Sequence, residues 1–218
     1  RFIHPDRLLT IFVKDILGER EGGTESERTV FYDVKCSMAL EEAIYSSGGI
    51  AKMVRTGHSL MTTELEKNPD SPLAGEMSGH FFLNDRWPGF DDSLYNTARL
   101  LEIIAREPSP SDGGPKFSDW FDDLPNYAST GEAKIPLTMN RREIMDLVEI
   151  IFSDMKYSSV DGVRVRYPEG WFLCRPSNTE PILVMRAEAN DEEGLVRIKE
   201  DIERRLGELM ELEKFHNS

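Results

Sequence analysis

Two polar stretches carry residue types that could do chemistry. Gly75-Glu76-Met77-Ser78-Gly79-His80 lies between Leu73-Ala74 and Phe81-Phe82-Leu83, apolar runs that read as the ends of two buried strands. It offers a carboxylate, a hydroxyl and an imidazole, and its glycines allow positive φ and close approach of the backbone to a bound molecule. Such a set suits sugar hydroxyls. The plainer alternative is a hairpin turn whose Ser78 and His80 bond only their own backbone. Arg175-Pro176-Ser177-Asn178-Thr179-Glu180-Pro181 likewise separates Trp171-Phe172-Leu173-Cys174 from Ile182-Leu183-Val184-Met185. A guanidinium, two hydroxyls, an amide and backbone N–H groups between prolines make an anion cradle, because arginine chelates phosphate oxygens through paired hydrogen bonds. A phosphate monoester is the expected ligand. A Pro-bounded hairpin would explain the prolines and Asn178, but not Arg, Ser and Thr gathered together.

Two further loops share one sheet edge with each other. Val30 to Val34 reads as a buried strand delivering Lys35 to its C-terminal end, where open α/β sheets place ligand-binding groups. A helix over Met38 to Ser47, a turn at Gly48-Gly49 and a strand over Ile50 to Val54 complete a crossover with a parallel pair. Arg55 to Ser59 then lies at the same edge, with Gly57 in a tight turn, Ser59 capping a helix from near Leu60, and His58 left to project. Taken singly, Lys35 reads as a solvated lysine and His58 as a surface histidine. Two cationic loops at one sheet edge favour contact with an anionic substrate.

In this order, Tyr32-Asp33-Val34-Lys35-Cys36-Ser37, Arg55-Thr56-Gly57-His58-Ser59, the GEMSGH loop and the RPSNTEP loop resemble the second half of the α-D-phosphohexomutases, most closely the bacterial phosphomannomutase/phosphoglucomutase branch. The likeness runs along nearly all 218 residues. Relatives acting on glucosamine phosphate usually read Glu-Gln-Ser-Gly-His and Ser-Gly-Thr in the two loops, where this chain has Met77 and Asn178.

The resemblance implies intramolecular phosphotransfer between hexose 1- and 6-phosphates, with a hexose 1,6-bisphosphate as intermediate and activator. It implies His80 as the catalytic proton-transfer residue. Lys35, Arg55, His58, Glu76, Ser78, Arg175, Ser177, Asn178 and Thr179 would bind substrate. The family's phosphoserine loop and its Mg²⁺-binding Asp-Gly-Asp loop belong to its first half, and neither string occurs here. The expectation is therefore two domains of four, 1–128 binding the sugar and 129–218 the phosphate, inactive alone, with no metal ligands of their own and partnered by N-terminal domains of the same polypeptide. Alternatives are a phosphoglucosamine mutase or a noncatalytic sugar-phosphate module.

Composition sets limits. A net charge of −14 argues against nucleic acid, and means that an anionic substrate is held by local cations rather than by a global field. Cys36 and Cys174 are isolated, as expected of buried free thiols in a reducing, cytoplasmic setting. No apolar run approaches a membrane span. Asp91-Asp92 reads as a helix cap rather than a metal site, having no third carboxylate nearby, and Asp112-Gly113-Gly114 and Asp161-Gly162 read as turns.

The positioning elements follow from periodicity. Arg1 to Pro5 reads as a strand end, and Asp6 as the cap of a helix burying Leu8, Leu9, Phe12, Val13, Ile16 and Leu17. Glu19 to Arg28 reads as a loop. A helix through Arg106 carries Leu94, Ala98, Leu101 and Ala105 inward, and a domain boundary is expected between Pro125 and Ala133. After it come a strand, a helix with the stripe Ile144, Val148, Ile151 and Met155, four strands between 157 and 189, and a helix with Leu195, Ile198, Ile202, Leu206 and Leu209 inward. The fold class expected is an α/β domain with a mixed sheet, followed by an α+β domain. By the resemblance, the latter is similar to the TATA-binding-protein fold.

Overall fold

Val30 and Tyr32 of strand β1 (Thr29–Asp33) pack into one apolar cluster and Phe31 into another, so this unbroken apolar run is covered on both faces, as a central parallel strand must be. The computed structural model describes residues 2–18, 22–212 and 215, and the chain divides into the units Arg1–Pro125 and Asn126–Ser218. In the first, β2 (Ile50–Val54) and β3 (Leu73–Gly75) flank β1 in parallel, and β4 (Phe81–Leu83) adds an antiparallel edge in the order β2-β1-β3-β4. Helices α1 (Pro5–Gly18) and α2 (Met38–Ser46) bury Leu9, Phe12, Ile16, Leu40 and Ile44 against one face, while Met61 and Leu65 of α3 (His58–Lys67) cover the other. The expected α/β layering with a mixed sheet is thus observed.

Several local expectations change. Residues 2–4 form no strand, and Arg1 and Glu19 to Glu21 lie outside the described residues. Helix α1 begins at Pro5, so Asp6 falls inside its first turn instead of capping it; buried there, it accepts the N–H of Ser37 at 2.9 Å. Helix α3 begins at His58 with Gly57 at its N-cap, so Ser59 is no cap. In α4 (Ser93–Arg106), Asp92 caps by accepting from Leu94 and Tyr95, but the buried face is the wrong one for the expected stripe. Leu94 is 83% and Leu101 60% exposed, Ala98 and Ala105 are exposed too, and Asn96, Arg99 and Ile103 are buried. The reason is polar: Asn96 Nδ2 donates to the Phe81 carbonyl at 2.9 Å, and Arg99 meets Asp15 and Asp85 at 2.7 and 3.0 Å. Partners from three other segments make those side chains buriable.

In the second unit, β5 (Ala128–Ser129), β10 (Ile182–Ala189), β9 (Gly170–Pro176), β8 (Val163–Tyr167) and β7 (Tyr157–Ser158) follow one another antiparallel, and β6 (Ala133–Pro136) also pairs with β10. Alternation puts Val163, Val165, Phe172, Cys174, Leu183, Met185 and Ala187 on one face. There they meet Ile144 and Val148 of α5 (Arg141–Ile151) and Leu195, Ile198, Ile202 and Leu206 of α6 (Glu192–Leu206). Asn140 and Asp191 cap these helices by accepting from Arg142 and Gly194. This is the expected α+β layer.

Cys36 and Cys174 are both buried thiols. Complete burial pushes the Cys174 thiol up to about 12. Its modification by a thiol reagent at pH 8 is therefore expected only as fast as the second unit opens. Rapid stoichiometric labelling of Cys174 in folded protein, located by peptide mass, would contradict the packing of β9.

Candidate functional site

The C-terminal ends of β1, β2 and β3 bring three loops to one edge of the first unit's sheet. From β1 comes Lys35, largely buried, its Nζ 4.0 Å from an oxygen of Asp33. From β2 come Arg55, exposed, and then Thr56, Gly57 and His58, the last opening α3. From β3 comes the Gly75–His80 loop. Its two glycines do different work from that expected. Only Gly79 takes positive φ, at 97°, while Gly75 ends β3 so close to Leu9 that a Cβ would lie 2.4 Å from its Cδ2.

Glu76, expected to face a ligand, is 2% exposed: one oxygen accepts the Gly57 N–H at 2.8 Å and the other the Ser78 hydroxyl at 2.8 Å. The carboxylate thus fastens the β2–α3 loop to the β3–β4 loop and orients Ser78, which is exposed. Each of its oxygens keeps a second lone pair.

His80 Nδ1 lies 2.6 Å from Asp91 Oδ2, and His58 Nε2 lies 3.4 Å from the same oxygen. The two imidazoles meet edge to face at 5.4 Å. A carboxylate can only accept, so Nδ1 of His80 carries the proton, and Nε2 is left to take or give one. Asp91 was missed in the sequence because Asp92 beside it does cap α4, which explained both. Its only signal is an Asp eleven residues beyond His80, and a sheet bridge between Phe82 and Asp91 is what carries it back.

In the second unit Arg175 is no solvent-facing loop residue. It lies within β9, 4% exposed, its Nε donating to Asp161 Oδ2 at 2.8 Å, with Nη2 buried and lacking a hydrogen-bond partner. The Asp161-Gly162 turn is thereby explained: Gly162, at φ 77°, presses so near β9 that a Cβ would stand 2.4 Å from the Cys174 carbonyl oxygen. Ser177 Oγ accepts the N–H groups of Thr179 and Glu180 at 3.3 and 3.2 Å, which curls the loop and leaves Asn178 and Thr179 exposed at its tip. Arg175 is also not the sole cation near this loop. Lys134 of β6 meets the Glu180 carboxylate at 2.8 Å, and Arg141 of α5 donates to the Glu180 carbonyl at 3.3 Å. Both are distant in sequence and gave no motif.

Comparison with known proteins gives the family of both units. The family description "Phosphoglucomutase/phosphomannomutase, alpha/beta/alpha domain III" matches residues 4–126, and that of the same family's C-terminal domain matches residues 132–205. A phosphomannomutase/phosphoglucomutase of Pseudomonas syringae is 42% identical over 200 residues, covering 90% of this chain and 40% of the relative. A phosphoglucomutase of Neisseria gonorrhoeae is 38% identical over 203 residues, 41% of its length. The solved structure of a phosphoglucomutase/phosphomannomutase family protein from Burkholderia thailandensis superposes with a TM-score of 0.80 at 39% identity, over 95% of this chain and 42% of that one. The chain spans less than half the length of these relatives. It belongs to the phosphoglucomutase/phosphomannomutase family, of which it carries the third, alpha/beta/alpha domain and the C-terminal domain.

Proposed function

We propose that this chain is the substrate-gripping half of a phosphomannomutase/phosphoglucomutase, which interconverts hexose 1- and 6-phosphates by intramolecular phosphotransfer. The observation that carries the reading is the convergence of the Lys35, Thr56 to His58 and Gly75 to His80 loops on one sheet edge, with Asp91 holding His80. In the reaction a phosphoserine outside this sequence gives its phosphoryl group to the free 1- or 6-hydroxyl. The bisphosphate turns over, and the opposite phosphate returns to serine.

Here Lys35, Arg55 and His58 steady the substrate's charge. Ser78, oriented by Glu76, meets sugar hydroxyls common to both poses. Nε2 of His80 moves the proton, and Asp91 fixes its tautomer. Arg175, with the Ser177 and Thr179 hydroxyls and the Asn178 amide, holds the phosphate that is not reacting.

Mg²⁺, which the family's chemistry uses at the phosphoserine, finds no fit here: among the described residues no cluster of three or more His, Cys, Asp or Glu could hold a metal ion. No helix among them is long and apolar enough to cross a membrane. We place the protein in the cytoplasm, in keeping with its two buried thiols.

Titration of glucose 1-phosphate into the isotope-labelled chain, followed by amide and imidazole resonances, tests the reading. Shifts are expected at Lys35, His58, Gly75 to His80 and Arg175 to Thr179. Glucosamine 1-phosphate is expected to bind less tightly, and turnover is expected to be absent even with bisphosphate and Mg²⁺ present. A spectrum that the sugar phosphates leave unmoved at these loops would overturn the reading.

A further inference from the structure

We propose that Asp33 is a positioning residue that sets the register of the ligand-facing loops, an inference that rests on the reading of this edge as a sugar-phosphate site. Asp33 closes β1 and is wholly buried. Its Oδ1 accepts the Met77 N–H at 3.2 Å and the Cys36 thiol at 3.1 Å; its Oδ2 accepts the Thr56 hydroxyl at 2.9 Å and lies 4.0 Å from Lys35 Nζ. Those donors come from the β1–α2, β2–α3 and β3–β4 connections, the same three that carry Lys35, His58 and Ser78.

Burying a carboxylate is costly unless donors surround it, and a strand end has no packing need for one. A sheet-stabilising role would engage the sheet's own backbone ladder. Here the contacts reach past the ladder to side chains and to one loop N–H. Asp33 also acts beside Glu76, which ties the β2–α3 loop to the β3–β4 loop a second time. With Asp33 in place, moving any one loop breaks a hydrogen bond to a charged acceptor, so the distances between the ammonium, the imidazoles and the Ser78 hydroxyl are held together.

Asp33→Asn keeps the shape but turns one oxygen into an NH₂ group, which then faces donors on one side. The variant is expected to bind glucose 1-phosphate about tenfold to a hundredfold more weakly, the span that one or two hydrogen bonds to a charged group represent. Before ligand is added, its Gly57, His58 and Met77 resonances should be displaced, while those of β9 and β10 stay. Thr56→Val, which removes one link from a half-buried residue, should weaken binding by roughly tenfold with little change in melting temperature. Ile103→Ala, which loosens the α4 core without touching the loops, should keep the parent affinity.

The outcomes separate. No ligand-induced shifts in the unaltered chain would remove the sugar-phosphate reading itself. Binding by the unaltered chain with equal affinity in Asp33→Asn, or an equal loss in Ile103→Ala, would overturn the role of Asp33 while leaving that reading intact. Should Asp33→Asn not fold, unchanged affinity in Thr56→Val overturns the proposal.

Discussion

Replacing Arg99 by methionine is expected to lower the stability of the first unit by about 3 to 5 kcal/mol, the usual cost of removing one partner from a buried ion cluster. Arg99 is 1% exposed and bridges Asp15 of α1 and Asp85, which follows β4, so it staples α4 to the sheet layer. Methionine fills much of the aliphatic stem but leaves Asp85 buried against nothing better than Arg86, whose Nε is 3.7 Å away. Asp15 keeps Arg106 at 2.6 Å. The loss should therefore be reduced by also making Asp85→Asn, because the orphaned charge and not the missing attraction is the larger cost.

Denaturant unfolding followed by the tryptophans of this unit measures both variants. A single Arg99→Met change costing under about 1 kcal/mol would place Arg99 among ordinary surface ion pairs. The comparison belongs at neutral pH. Nearby Glu102 has its carboxyl lowered to about 2 by hydrogen bonds from Arg86 and Arg106. Its own contribution is in place above pH 4.5, the usual value, and is lost as pH falls through 2.

The second large effect is expected at Arg175, where binding and stability are linked. Because its guanidinium is buried and paired with Asp161, itself 7% exposed at the side chain, Arg175→Ala should both abolish phosphate binding by the second unit and destabilise that unit by about 3 kcal/mol. Lysine can keep the charge but cannot donate to Asp161 and chelate a phosphate at once, so Arg175→Lys should retain most of the stability and lose much of the affinity. The double change Arg175→Met with Asp161→Asn separates the two roles. It should restore much of the melting temperature and none of the binding. Calorimetric titration with glucose 1-phosphate beside thermal unfolding provides the check, and recovery of affinity in the double variant would mean that the phosphate is held elsewhere, for instance by Lys134 and Arg141.

What the sequence determined by itself was whatever depends on neighbours in the chain. The apolar run through Val30 to Tyr32, the strands flanking the Gly75 and Arg175 loops, and the 3.6-residue stripes of α1, α5 and α6 are local patterns, and each formed the element its period requires. The family likeness lies in the same loops. Helix α4 shows where local reading ends. It carries two candidate inner faces, and the more apolar one, with Leu94 and Leu101, faces solvent, because Asn96 and Arg99 have partners in β4, α1 and the segment after β4.

Tertiary structure alone decided the charged interior. Whether Asp33, Glu76, Asp91 and Arg175 meet solvent or each find donors or acceptors depends on segments from 11 to more than 40 residues away. The physical reason is that a buried charge is tolerated only where hydrogen-bonding or oppositely charged groups surround it. No property of an aspartate's own neighbours in sequence says whether those groups will arrive.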